Sequence, residues 1–295
     1  MNKTILVTGA TGFLGSNLVK RLLEKNYRVI ILKRSFSNTW RIDDVLSQVI
    51  FYDVDKHDLT QIFAQIKSLN AIIHTATCYG KNNESISSIF EANTVFPLKL
   101  LELASEFKIP AFFNTDTYFN KGNKTYQGLA SYSLSKQQFH EWGKYFAQNQ
   151  KIFFINLQLE HLFGEGDEQS KFTSYIMKSC LENIRQLELT NGEQKRDFIY
   201  VDDVVSAYLL LLEKAEQIPD LYQNYEVGSG QSISIREFVE MVHNITQSQT
   251  CLKFGVLPYR EQEIMDSQAN IAPLTELGWF PESDLETVLC RILTN

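Results

Sequence analysis

A chain of 295 residues can bury a large core, in one elaborated domain or in two. Its net charge of −7 leaves no electrostatic footprint for nucleic acid, and no apolar run is long enough to span a bilayer. Cys78, Cys180, Cys251 and Cys290 lack the paired spacing of a disulfide framework or a zinc site, and the chain enters a strand without a signal-peptide layout, so a soluble cytoplasmic protein with no resident metal is expected.

Residues 3 to 8 read as a buried strand that runs into Gly9-Ala10-Thr11-Gly12-Phe13-Leu14-Gly15, and apolar residues at helical spacing follow from Asn17 to Leu23. In such a strand-turn-helix the first glycine takes backbone angles that other residues resist. The second lets a pyrophosphate approach the main chain, and the third lets helix and strand pack closely. The helix N-terminus then offers its unpaired N–H groups to the phosphates. A dinucleotide site is therefore expected over Gly9, Thr11, Gly12, Phe13, Leu14 and Gly15.

Further strand-like runs alternate with helical ones at Arg28 to Lys33, Val49 to Val54, Ala71 to Thr75, Ala111 to Thr115 and Ile152 to Leu157. This alternation predicts an α/β fold, a Rossmann doubly wound parallel sheet over residues 1–160, with ligands at the carboxyl ends of its strands. Beyond about residue 160 the elements are mixed. The stretches Lys171 to Leu187 and Ile235 to Ile245 both look helical, and a smaller C-terminal α/β substrate lobe is expected over 161–194 and 216–295, with 195–215 returning to the sheet. Triplets resembling glycosylation acceptors at Asn83, Asn123 and Asn244 carry no meaning in a cytoplasmic protein.

The second strand ends in Leu32-Lys33-Arg34-Ser35, two cations and a hydroxyl where NAD-selective proteins place a carboxylate. That pattern suits a 2′-phosphate and predicts NADP(H), with Lys33, Arg34 and Ser35 as its contacts. Asp53-Val54 would lie against the adenine, and His74-Thr75-Ala76 near the diphosphate and ribose, His74 in a structural role at the turn.

Tyr132 and Lys136 are four apart and share one helix face. A tyrosine working near neutral pH needs its acidity raised, and a lysine ammonium with an oxidised nicotinamide nearby would supply positive charge of the right sign. Tyr132 can then exchange a proton with a carbonyl oxygen as hydride moves. Thr115, closing the preceding strand, would hold the same oxygen by its hydroxyl, with Thr117 as the alternative.

With these residues together the chain resembles the extended short-chain dehydrogenases along nearly its whole length. Asn93, in Glu91-Ala92-Asn93-Thr94-Val95, matches the asparagine by which that family supports its site. The blocks Gly192 to Val204, Glu226-Val227-Gly228-Ser229-Gly230 and Leu277-Gly278-Trp279 are similar to those of the branch acting on nucleotide-activated sugars. The resemblance implies that Lys171, Arg196 and Arg260 contact the substrate, the arginines at its nucleotide and phosphates; otherwise Arg196 would form a surface ion pair with Asp197 or Asp202. It also implies a homodimer through helices near 90 to 107 and 132 to 149.

A narrower similarity runs through Leu157 to Gly164, Asp167, Lys171 to Ser174, Cys78 to Ser85 and Asn114 to Thr117. It resembles the CDP-paratose and CDP-abequose synthases, NADPH-dependent reductases of a CDP-4-keto-3,6-dideoxyhexose that serve bacterial O-antigen. Its unusual Glu160-His161 pair is given no chemical step. The sugar-nucleotide 4,6-dehydratases of the family follow their threonine with Asp-Glu, whereas Thr115 is followed by Asp116-Thr117, which disfavours dehydration. The stretch from Thr115 to Tyr132 is also shorter than in typical epimerases. The expectation is a 4-ketoreductase that uses Thr115, Tyr132 and Lys136. The alternatives are an NAD(P)-dependent nucleotide-sugar 4-epimerase and a non-catalytic NADP sensor.

Overall fold

The computed structural model describes residues 3–121, 129–149, 151–218 and 220–294. The triplet at Asn123 and part of the stretch between Thr115 and Tyr132 lie outside the described residues. In chain order the first elements are β1 (Thr4–Thr8), α1 (Phe13–Glu24), β2 (Arg28–Lys33), β3 (Ile50–Asp53), α2 (Leu59–Gln65), β4 (Ala71–His74) and α3 (Ile86–Phe90). A π-helical turn (Glu91–Val95) leads into α4 (Phe96–Glu106), then β5 (Ala111–Thr117), α5 (Ala130–Gln148) and β6 (Phe153–Leu159). There follow β7 (His161–Phe163), α6 (Phe172–Leu181), β8 (Gln186–Glu188), β9 (Lys195–Arg196), β10 (Phe198–Tyr200), α7 (Val201–Lys214) and β11 (Tyr222–Val227). The chain closes with β12 (Ile233–Ser234), α8 (Ile235–Ile245), β13 (Cys251–Lys253), β14 (Asp266–Ser267), α9 (Ala272–Glu276) and α10 (Leu285–Thr294).

The described residues fall into two compact units. The first holds those of 3–121, 129–158 and 205–225, the second those of 159–204 and 226–294. The segment returning to the sheet unit is thus 205–225 rather than 195–215, because Lys195 to Tyr200 form β9 and β10 of the second unit.

The first unit is built on a seven-stranded sheet of order β11-β6-β5-β4-β1-β2-β3. β1 pairs in parallel with both β2 and β4, β2 with β3, and β4 with β5. Every residue of β1 and β4 is buried, as expected of parallel strands covered on both faces. The chain winds outward from β1 to β3, then crosses to β4 and winds the other way. The order therefore reverses between β1 and β4, and the crevice at their carboxyl ends is where such sheets take ligands. Leu6, Ile30, Ile72, Leu100, Phe112, Phe139 and Phe154 fill the core between sheet and helices.

In the second unit, parallel β7 and β10 place Phe198 against His161, β9 lies between β12 and β14, and β13 pairs with β8. The stretch from Lys171 to Leu187 is not all helix. α6 stops at Leu181 because Asn183 takes φ 52°, its N–H and that of Ile184 closing the helix end on the carbonyls of Cys180 and Ser179. β8 follows, pairing Leu187 with Leu252. The blocks Gly192 to Val204 and Glu226 to Gly230 are joined by Asp197, a fully buried residue whose carboxylate accepts from Ser229 N (2.7 Å), Ser229 Oγ (2.7 Å), Gly230 N (3.0 Å) and Ala269 N (3.0 Å). A Cβ at Gly228 would sit 2.4 Å from this carboxylate, so the glycine is needed for the approach.

Candidate active site

The turn after β1 is shaped as a cradle. Gly9 takes φ 68°, and a Cβ there would lie 2.5 Å from Ala76 N; a Cβ on Gly15 would lie 2.1 Å from the Gly9 carbonyl oxygen. At Gly12 a Cβ would meet only the Gly9 carbonyl oxygen, at 3.2 Å, so its outer side is open to a close approach. Gly12 then serves as the N-cap of α1, with Phe13 and Leu14 buried in its first turn. The end of β4 buttresses the turn. Thr75 Oγ1 donates to the Thr8 carbonyl oxygen (2.8 Å), Ala76 N to Thr8 Oγ1 (3.4 Å), and His74 Nδ1 shares a hydrogen bond with Thr8 Oγ1 (2.8 Å). Burial, with Lys136 nearby, holds His74 well below the usual histidine range, so it is a neutral brace between β4 and β1. This cradle fits the pyrophosphate of a dinucleotide.

At the end of β2 the expected absence of carboxylates does not hold. Parallel pairing sets Lys33 beside Asp53, and Lys33 Nζ donates to Asp53 Oδ1 over 2.5 Å. Ser35 gives both its N–H (2.7 Å) and its hydroxyl (2.6 Å) to Asp55. Asp53 is therefore the partner of Lys33, with Val54 N bonded to the Lys33 carbonyl oxygen. Arg34 lies over the exposed Phe36 ring at 4.7 Å. A further cation, absent from the sequence reading, comes from the following loop, where Arg41 Nη1 lies 3.4 Å from the Thr11 carbonyl oxygen of the glycine turn. Nothing in local spacing announces it, since Arg41 is thirty residues from the turn it reaches.

Tyr132 and Lys136 lie on the same buried face of α5. The segment is braced from the π-helical turn. Asn93 Nδ2 donates to Ser135 Oγ (3.0 Å) and Thr94 Oγ1 to the Ser135 carbonyl oxygen (2.9 Å), while Ser135 Oγ donates to the Tyr132 carbonyl oxygen (2.8 Å). Asn93 also grips the loop after β4, accepting from Cys78 N (2.7 Å) and donating to the Cys78 carbonyl oxygen (2.8 Å). Its amide thus supports the loop and the helix.

Lys136 is 2% exposed, and its Nζ donates to the Thr115 carbonyl oxygen at 2.8 Å. Burial pushes the amine down to about 8, with Asp116 acting in the opposite direction. Tyr132 stacks on Tyr79 at 4.8 Å and meets Phe119 edge-on. Burial, then Tyr79 and Asp116, hold its phenol well above the ordinary tyrosine value, against a hydrogen bond from the Thr117 side chain that pulls it down. The Lys136 ammonium is aimed at the strand, at the Thr115 carbonyl oxygen.

The two threonines also divide differently from the leading expectation. Thr117 is the one bonded to Tyr132, whereas Thr115 Oγ1 is 2.6 Å from the hydroxyl of Tyr208, a fully buried residue of α7. Between them Asp116 points to the other side of β5.

In the second unit Arg196 and Lys171 both act on His161, which burial, then these two cations, push down to about 3. Arg196 is buried and bonded to the carboxylate of Glu263 and to the Ile264 and Lys195 carbonyl oxygens, so the ion pair considered with Asp197 or Asp202 is instead with Glu263. Lys171 pairs with Asp167 at 2.8 Å. Glu160 is buried, both carboxylate oxygens 2.9 Å from Ser267 Oγ. Arg260 is exposed on a turn closed by Glu263 N and its own carbonyl oxygen.

A doubly wound sheet with a glycine turn at its reversal point and a Tyr-Lys pair on the helix after β5 defines the extended short-chain dehydrogenase class. The chain belongs to the NAD dependent epimerase/dehydratase family, whose profile matches residues 5–228. It is 37% identical over 295 residues to a CDP-abequose synthase of Salmonella muenchen, with 100% of this chain and 98% of the relative covered. Among solved structures it is similar to a UDP-glucose 4-epimerase of Thermotoga maritima (TM-score 0.83, 22% identity, 99% and 97% of the two chains covered). The dTDP-glucose 4,6-dehydratase of Streptomyces venezuelae is equally similar in fold (TM-score 0.84, 19% identity, 99% and 96% covered). No helix among the described residues is long and apolar enough to cross a membrane.

Proposed function

We propose that this chain is an NADPH-dependent 4-ketoreductase of a nucleotide-activated deoxysugar, reducing CDP-4-keto-3,6-dideoxy-D-glucose to CDP-paratose or CDP-abequose for O-antigen in the cytoplasm. The full-length identity to a CDP-abequose synthase carries this choice of reaction, and Tyr132, buried on α5 with Lys136 on the same face, is the residue placed to give the proton. The same identity supports the substrate class.

NADPH, when bound along the glycine turn, supplies the hydride. Tyr132 hands its proton to the developing alkoxide, Thr117 holds the same oxygen, and Lys136 supplies positive charge beside them. Thr115, anchored by Tyr208, fixes the end of β5. Asp116 is turned into a buried network, so the acid that a dehydration would need is not offered to a sugar. Arg34 and Arg41 are the cations that support a 2′-phosphate, and Arg196 and Lys171 those that support the diphosphate of the sugar nucleotide. A homodimer would pair through α4 and α5, where Leu134, Trp142 and Tyr145 are exposed.

A second reading, an NAD-retaining 4-epimerase, is favoured by the carboxylates of Asp53 and Asp55 on Lys33 and Ser35. Incubation with NADPH and the CDP-linked 4-keto-3,6-dideoxy sugar separates the two. The reductase consumes NADPH in proportion to one product epimer at C4. An epimerase leaves NADPH absorbance unchanged.

A further inference from the structure

The loop after β4 lays a second aromatic ring on the reacting tyrosine. Tyr79 stacks on Tyr132 with ring centroids 4.8 Å apart and planes 28° from parallel, while Phe119 meets Tyr132 edge-on at 6.4 Å. Tyr132 is 6% exposed, whereas Tyr79 is half-buried and carries the Lys81 ammonium 5.2 Å from its ring centre. One side chain ties both partners of the stack. Asn93 grips the residue before Tyr79, accepting from Cys78 N (2.7 Å) and donating to the Cys78 carbonyl oxygen (2.8 Å), and it also accepts from Thr77 Oγ1 (3.3 Å). The same amide donates to Ser135 Oγ (3.0 Å), which donates to the Tyr132 carbonyl oxygen (2.8 Å). On the other side of Tyr79, Gly80 takes φ 74°, and a Cβ there would lie 2.6 Å from Ile89 Cδ1, so the loop turns tightly against α3. The loop is therefore fixed both before and after the ring it presents to Tyr132.

We propose that Tyr79 is a positioning residue: its ring, set by Asn93 through Cys78 and by the turn at Gly80, is the wall against which the phenol of Tyr132 is held for proton transfer. The requirement is geometric. An unrestrained tyrosine samples several rotamers, whereas a proton donor must stand within about 0.5 Å of its productive place. A stacked pair of aromatic rings favours its own geometry beyond the area it buries, and the edge of Phe119 limits the phenol from a second direction. The ring of Tyr79 carries this role, and its hydroxyl is not required for it.

This rests on the reading of Tyr132 as the proton donor, so the test pairs kinetics with a measurement that needs no turnover. In Tyr79→Ala and Tyr79→Leu, which remove the ring, kcat for reduction of the CDP-linked 4-keto-3,6-dideoxy sugar by NADPH falls about 100-fold, and KM for the sugar stays near the parent value. Tyr79→Phe, which keeps the ring, rescues kcat. With 3-fluorotyrosine at position 132 of the full chain, a held ring gives separate fluorine lines for its two edge orientations. The parent and Tyr79→Phe show both lines, and the variants without the ring show one averaged line. Thermal melting identifies which variants are folded, and either variant lacking the ring suffices. An unchanged kcat or unchanged fluorine lines in that variant overturns the proposal, as does a Tyr79→Phe protein impaired as far as Tyr79→Ala. A parent protein that never oxidises NADPH would instead strike the reaction assigned above, and the fluorine lines would still decide whether Tyr79 holds the phenol.

Discussion

Thr115 and Tyr208, ninety-three residues apart in sequence, share a 2.6 Å hydrogen bond between their hydroxyls in the interior of the sheet unit. That bond commits Thr115 to the packing of α7 on β5 and leaves Thr117 as the hydroxyl beside Tyr132. Thr117→Val should lower kcat for reduction by about 100-fold, the usual loss on removing one group that stabilises a developing oxyanion. Thr115→Val should cost less than about tenfold in kcat and register mainly as a lower Tm. Steady-state kinetics of the two variants check the order, and the reverse order would return the role to Thr115.

The depressed Lys136 amine sets an alkaline limit. It carries its charge below about 8 and loses it above, so kcat/KM for reduction should fall through a single ionisation near pH 8. In Lys136→Arg, whose guanidinium keeps its proton, residual activity should show no break there. A pH profile of both proteins checks this.

Selectivity for the 2′-phosphate should reside in Arg34 and Arg41, because Lys33 and Ser35 are engaged by Asp53 and Asp55. Arg34→Ala and Arg41→Ala should each raise KM for NADPH about tenfold, the worth of one charge-assisted hydrogen bond, and leave KM for NADH unchanged. Lys33→Ala should affect the two cofactors alike. Comparing the KM values of the three variants with both cofactors decides it.

Asp197 should matter to stability. Asp197→Ala strips acceptors from three backbone N–H groups and the Ser229 hydroxyl in a fully buried site. The expected cost is about 3 kcal/mol or more, measured by urea unfolding. A loss under about 1 kcal/mol would show that the Gly228-Ser229-Gly230 turn holds without it.

The sheet strands and the glycine turn were legible because parallel buried strands write themselves as continuous apolar runs and because close backbone approach demands glycine at fixed places. Three features were not, and each depends on contacts between distant segments. Asp53 and Asp55 reach Lys33 and Ser35 only through the parallel register of β2 and β3, which local sequence does not state. Thr115 and Thr117 share a strand face, so spacing alone could not choose between them, and the Tyr208 hydroxyl beside Thr115 comes from ninety-three residues away. Gln186 to Glu188 extended an apolar pattern that looked helical, and only the left-handed Asn183 and the partner strand at Cys251 to Lys253 reveal β8. The aim of Lys136 was not legible for a related reason: it shares the Tyr132 helix face, but its ammonium is drawn to the Thr115 carbonyl oxygen.

The central claim is net reduction with hydride from an external cofactor and the proton from Tyr132. Its most direct test uses NADPH carrying deuterium on the transferred hydride, with the CDP-linked 4-keto-3,6-dideoxy sugar and the Tyr132→Phe variant as control. The account predicts one deuterium at C4 of the product per NADPH consumed, and a rate lower by about 1000-fold in Tyr132→Phe. A C4 alcohol formed without the label, or a Tyr132→Phe protein that turns over undiminished, would contradict it.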